Sequence, residues 1–153
     1  MPVDVGQAAP DFSLYDTDRQ QRTLSEFMGQ NVVIAFFPGA FTGVCTTEMC
    51  TLRDSLSQFN SMNAQVIGIS VDGAMVQKAF SDQNNLDFTV LSDFQRQAVN
   101  LYDVPLPNFA GMEGYVAAQR SVFVVDKEGI VKYKWVADSP GNEPNYEEVQ
   151  RAV

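Results

Sequence analysis

Three segments of this chain, NVVIAFF over residues 31–37, AQVIGISV over 64–71 and SVFVVD over 121–126, are almost unbroken apolar runs rich in β-branched residues. A strand with one wet face alternates apolar and polar side chains, whereas a run without alternation needs cover on both faces. Such strands belong at the centre of a sheet enclosed by helices. Residues 88–91 and 130–136 also read as strands; in the second, Lys132 and Lys134 alternate with Val131, Tyr133 and Trp135, which predicts a half-exposed strand. Asp126-Lys127-Glu128-Gly129 joins the last two strands as a hairpin turn, making them antiparallel neighbours.

Helical periodicity is expected over residues 44–59, 74–84 and 95–102, with a short final helix over 145–152. Strand and helix alternate along the chain. That order predicts an α/β fold in which a central mixed β-sheet is flanked by helices on both faces, an arrangement a thioredoxin-like fold satisfies. The length of 153 residues fits one domain spanning residues 1–153. Residues 103–119 carry Pro105, Pro107, Gly111 and Gly114 without clear periodicity and read as an extended loop long enough to have a use.

Charge and side-chain inventory narrow the chemistry. Nineteen acidic against ten basic residues give a net charge of -9, which repels nucleic-acid phosphates and anionic membrane surfaces and argues against both as partners. There is no histidine, so serine–histidine catalysis is excluded and the commonest zinc ligand is missing. The two cysteines are too few for a disulfide framework or for a structural zinc site by themselves. No segment approaches the roughly 20 apolar residues needed to span a bilayer, and the N-terminus has no leader pattern, so a cytoplasmic location is expected.

The most informative stretch is AFFPGAFTGVCTTEMC, residues 35–50, where an apolar strand meets a Pro-Gly break and then a helix starting near Thr42. Thr42 suits an N-cap, placing Cys45 among the free amides and the positive end of the helix dipole, which favour a thiolate. Cys45 also heads an apolar seam with Met49, Leu52, Leu56 and Phe59, so from local chemistry it reads equally as a core residue. Without histidine, activation would need the dipole, hydrogen bonds and a nearby cation. Cys50 lies five residues on, rotated roughly 140° from Cys45 and about 8.6 Å away between α-carbons in an intact helix. A disulfide between them requires that turn to unwind; otherwise Cys50 is a bystander.

The run Pro38-Gly39-Ala40-Phe41-Thr42-Gly43-Val44-Cys45 matches the Pro-x-x-x-Thr-x-x-Cys signature of peroxiredoxins. Arg120, just ahead of SVFVVDKEG, resembles that family's active-site arginine. The resemblance extends over VGQAAPDFSLYD, RTLSEF, VIGISVD and FTVLSD in the expected order. FFPGAFTGVC is similar to the alkyl hydroperoxide reductase E group, while a second cysteine five residues after the first is similar to the PrxQ, or bacterioferritin-comigratory, group. By resemblance, Cys45 is the peroxidatic nucleophile, Thr42 hydrogen-bonds thiolate and peroxide, Pro38 shields the sulfur, Arg120 supplies the cation and Cys50 resolves the sulfenic acid through an intrachain disulfide. The sequence stops soon after the final helix, so the C-terminal resolving cysteine of typical two-cysteine members is not expected. Glu48 reads either as a partner of Arg120 or Arg53 or as a solvated first-turn acid.

The resemblance implies reduction of hydrogen peroxide and organic hydroperoxides with a thioredoxin-like or other thiol as reductant, and no bound cofactor. Two alternatives stay open: a one-cysteine peroxidase resolved by an external thiol, and a peroxide sensor that passes oxidation to a partner. The E-group likeness implies a homodimer and the PrxQ likeness a monomer. A thioredoxin-type disulfide reductase is disfavoured, because Cys-x-x-Cys is missing.

Overall fold

The structure, a computed structural model, describes residues 3–153. Its strands are β1 (Ser13–Asp16), β2 (Gln21–Thr23), β3 (Asn31–Phe36), β4 (Ala64–Ser70), β5 (Thr89–Ser92), β6 (Pro105–Leu106), β7 (Ala117–Ala118), β8 (Ser121–Val125) and β9 (Val131–Val136). Its α-helices are α1 (Gly43–Asp54), α2 (Leu56–Ser61), α3 (Ala74–Asn84), α4 (Gln97–Leu101) and α5 (Tyr146–Ala152). Seven strands form one mixed sheet in the order β2-β1-β5-β4-β3-β8-β9, with β3, β4 and β5 parallel and the other pairings antiparallel. The sheet is flanked by helices as the thioredoxin-like expectation requires.

The three unbroken apolar runs lie side by side at its centre. In β3, Val32, Ile34 and Phe36 enter one core layer with Phe12, Tyr102 and Phe123. Val33, Ala35 and the following Phe37 enter the other, with Met49, Leu52 and Phe80 from the helices. All five of these β3 side chains and Phe37 are fully buried, and each large one contributes about 1.5–3 kcal/mol relative to exposure. The strand is thereby fixed on both faces, and its end at Phe36 delivers the loop that follows to a defined place. The 126–129 hairpin forms as expected: Asp126 Oδ1 accepts from the amides of Glu128 and Ile130 at 2.9 and 3.0 Å, and Gly129 takes φ +87°. β9 is half-exposed as expected, with Trp135 half-buried and packed against the core.

Several expectations are corrected. The β1–β2 hairpin at the sheet edge has no counterpart in the sequence reading, because its strands are short and only Leu14 and Asp16 of β1 point inward. The helix expected over 44–59 is broken at Ser55 (φ -97°, ψ 1°), where α1 ends and α2 begins. Within α1 the hydroxyls of Thr46, Thr47 and Thr51 each donate to the carbonyl four residues back, a pattern that weakens and bends helices. The helix expected over 95–102 starts only at Gln97, because Arg96 is left-handed (φ +58°) and buried Asp93 accepts from the Ala98 and Val99 amides at 3.1 and 2.8 Å. Residues 103–119 are not a plain loop: β6 and β7 pair antiparallel across it, and a 3-10 turn at Phe109–Gly111 lies at its tip.

Candidate active site

Cys45 is the third residue of α1 and is 1% exposed. Its seam mates Met49 and Leu52 are equally buried, so the core reading of Cys45 holds. The same residue also borders a pocket of about 250 Å³ lined by Pro38, Thr42, Val44, Cys45, Phe109, Arg120 and Pro140. Core packing and access to a pocket therefore meet at one sulfur.

Arg120, just before β8, reaches that sulfur as well. Its Nη2 donates to Cys45 Sγ at 3.0 Å, Nη1 to Glu48 Oε1 at 2.7 Å, and Nε and Nη2 to the carbonyl of Pro140 at 3.1 and 2.9 Å. The guanidinium is 2% exposed and the Glu48 carboxylate 0%. Burial opposes the charged guanidinium, but Glu48 and Cys45 beside it prevail and hold its pKa raised. Glu48 thus settles on Arg120, not on Arg53, and is no solvated acid. Burial pushes the Glu48 carboxyl up to about 7 against the pull of Arg120, and its Oε2 has no hydrogen-bond partner among the described residues. The cavity satisfies one oxygen only, so a proton competes with the charge.

Thr42 is the N-cap of α1, but its hydroxyl does not cap. It donates instead to the Gly39 carbonyl at 2.8 Å, a bond made possible because Phe41 turns the loop through the left-handed region at φ +66°. The hydroxyl oxygen keeps its lone pairs for another donor. Pro38 is buried beside the pocket. Phe109 covers the loop closely: a Cβ on Gly39 would stand 3.3 Å from its ring. Phe109 packs in turn on Tyr115 with ring centroids 5.5 Å apart. Sequence reasoning marked the 103–119 segment as useful without singling out Phe109, and it missed Pro140 altogether.

Cys50 is brought elsewhere. It is half-buried on the other side of α1, with Sγ 3.6 Å from Asn84 Oδ1 at the end of α3. Both cysteines are free thiols. The structure therefore assembles Pro38, Thr42, Cys45 and Arg120 at one pocket and leaves Cys50 outside it. Among the described residues no cluster of three or more metal-ligating side chains forms.

Comparison with known proteins fits this arrangement. The chain is 40% identical over 131 residues to the chloroplastic peroxiredoxin Q of Oryza sativa subsp. japonica, covering 86% of this chain but only 58% of the rice protein. It is 35% identical over 136 residues to peroxiredoxin Bcp of Bacillus subtilis, covering 88% of this chain and 86% of that one. Among solved structures, a peroxiredoxin-like protein from Aquifex aeolicus superposes with a TM-score of 0.87 at 30% identity, over 99% of this chain and 86% of that one. The AhpC/TSA family model matches residues 5–134, a span that runs from the N-terminal segment through the Cys45 loop and Arg120 into β9, and the chain accordingly belongs to this family of peroxiredoxins.

Proposed function

We propose that the chain is a thiol peroxidase that reduces hydrogen peroxide and organic hydroperoxides. The observation that carries this reading is the buried Arg120 Nη2 contact to Cys45 Sγ at 3.0 Å, made at a helix N-terminus on the floor of a pocket. A thiolate there is stabilised by a guanidinium and by helix amides in a desolvated setting. In the first step, Cys45 thiolate attacks the terminal oxygen of the peroxide, the S–O bond forms as the O–O bond breaks, and the leaving oxygen takes a proton to become water or an alcohol. Arg120 and the Thr42 hydroxyl hold peroxide and developing charge in line, and Pro38 keeps water from the sulfur. In the second step, the Cys50 thiol attacks Cys45 sulfenic acid, the disulfide forms and water leaves. Two electrons from a thioredoxin-like or other thiol reductant restore both thiols.

The deciding measurement is intact mass and thiol count after one equivalent of hydrogen peroxide. The wild type should lose two thiols and about 2 Da, Cys50→Ser should lose one thiol and gain about 16 Da, and Cys45→Ser should consume no peroxide. Peroxide consumption by Cys45→Ser at the wild-type rate would overturn the assignment of Cys45. Identical single-thiol loss in wild type and Cys50→Ser would favour the one-cysteine reading, for which the seating of Cys50 against Asn84, away from the pocket, is the supporting observation.

A further inference from the structure

The loop that carries Pro38 and Thr42 is tied to the body of the protein by a residue outside the pocket. Asp72, in the turn between β4 and α3, accepts the Ala40 backbone N–H on Oδ2 at 2.7 Å. The same oxygen accepts the Ser70 hydroxyl at 2.7 Å. Ser70 Oγ in turn accepts from Gln77 Nε2 at 2.9 Å, and Gln77 Nε2 also donates to the Leu91 carbonyl at 2.8 Å. Ser92 Oγ donates to the Asp72 carbonyl at 2.6 Å. Ser70 and Gln77 are fully buried and Ser92 nearly so. The ends of β4 and β5 and the first turn of α3 are thus joined by one hydrogen-bonded network, and the bond to Ala40 links it to the reactive loop.

What that bond restrains is consequential. Ala40 is followed by Phe41, a bulky residue in the left-handed region, a conformation that persists only where its surroundings enforce it. Thr42 comes next; its carbonyl accepts the Thr46 amide at 2.9 Å and so begins α1. Releasing Ala40 frees Phe41 to relax, moves the Thr42 hydroxyl and loosens the turn that contains Cys45.

We infer that Asp72 is a positioning residue that holds the 38–42 loop in its peroxide-reactive form and resists the opening of α1. The inference rests on the peroxidase reading above and deepens it. It requires opposite effects on two steps: without the Ala40 bond, oxidation of Cys45 slows because Thr42 is no longer aimed, while closure of the Cys45–Cys50 disulfide quickens because α1 opens more readily.

Stopped-flow measurement of both steps in Asp72→Ala and Asp72→Asn tests it. Asp72→Ala is expected to lower the rate constant for Cys45 oxidation by about tenfold and to raise that for disulfide closure by about fivefold, the scale of one lost hydrogen bond to a charged acceptor. Because both bonds fall on a single oxygen, the one carbonyl oxygen of asparagine can take both, so Asp72→Asn should restore both constants to within about twofold of wild type. Hydrogen exchange supplies a readout independent of peroxide: Asp72→Ala should lose protection at the Ala40 and Thr46 amides while those of α3 keep theirs. Unchanged constants and protection in Asp72→Ala would overturn the inference. So would both constants falling together, or Asp72→Asn failing like Asp72→Ala. Failure of the peroxidase reading has a different signature, a wild type that does not react with peroxide while Asp72→Ala still loses protection at Ala40.

Discussion

Cys45 and Cys50 sit five residues apart on one helix, yet their surroundings have little in common. Cys45 is buried in the first turn of α1 at the edge of a pocket, with a guanidinium at 3.0 Å. Cys50 is half-exposed and has only the Asn84 amide oxygen at 3.6 Å, a weak partner. Arg53, on the same side of the helix, is committed to Asp54 and to the Asn84 carbonyl. The contrast teaches that a thiol's reactivity comes from what is folded around it: the charge that matters to Cys45 arrives from a residue 75 positions away in sequence.

Removing that charge tests the contrast most severely. Arg120→Met should slow oxidation of Cys45 at pH 7 by about 10²–10³-fold, bringing it toward the behaviour of Cys50. Stopped-flow kinetics, with circular dichroism to verify the fold, measures this. A loss below tenfold would mean that the helix terminus alone sets the difference.

A smaller effect is expected from Glu48→Gln, which keeps an acceptor for Arg120 but cannot ionise. In the folded protein Glu48 holds its proton up to about pH 7, well above its ordinary value of 4.5. The folded state therefore binds more protons than the unfolded state across that window, and stability falls as pH rises through it. Thermal melts should show the wild type losing about 5 °C more than Glu48→Gln between pH 4.5 and 7.5. Parallel curves would mean that Glu48 is already ionised throughout that range.

The smallest effect belongs to the Cys50 side. Asn84→Ala should roughly double the alkylation rate of Cys50 by iodoacetamide in the reduced protein and leave Cys45 unchanged, since the lost contact is a weak sulfur bond. Equal acceleration at both thiols would show that α1 loosens as one body.

Much of this molecule is legible in its sequence because the signals are local. The runs over 31–37, 64–71 and 121–126 declare strands buried on both faces, and the Pro38-to-Cys45 motif declares the reactive loop. What escaped depends on tertiary contact. Leu14 faces inward in β1, but a four-residue strand gives too little periodicity to read. Ser55 breaks a helix that the Cys45-to-Phe59 seam makes look continuous. Glu48 offered two partners, and only the approach of β8 to α1 decides for Arg120. Phe109 and Pro140 enter the pocket from segments without regular pattern, and the Thr42 hydroxyl turns to Gly39 because Phe41 is left-handed.

The break at Ser55 has a consequence for cooperativity. α1 contains twelve residues and draws little support from α2, because only Ser55 links their ladders, donating to the Thr51 carbonyl at 3.1 Å and accepting the Phe59 amide at 3.2 Å. A bond between Cys45 and Cys50 would consume the segment from Gly43 to Cys50 and leave only Thr51 to Asp54, about one turn. A fragment that short cannot repay the cost of helix nucleation. The opening would thus be all-or-none over α1, with the helical signal of twelve residues lost in a single transition rather than frayed away from one end.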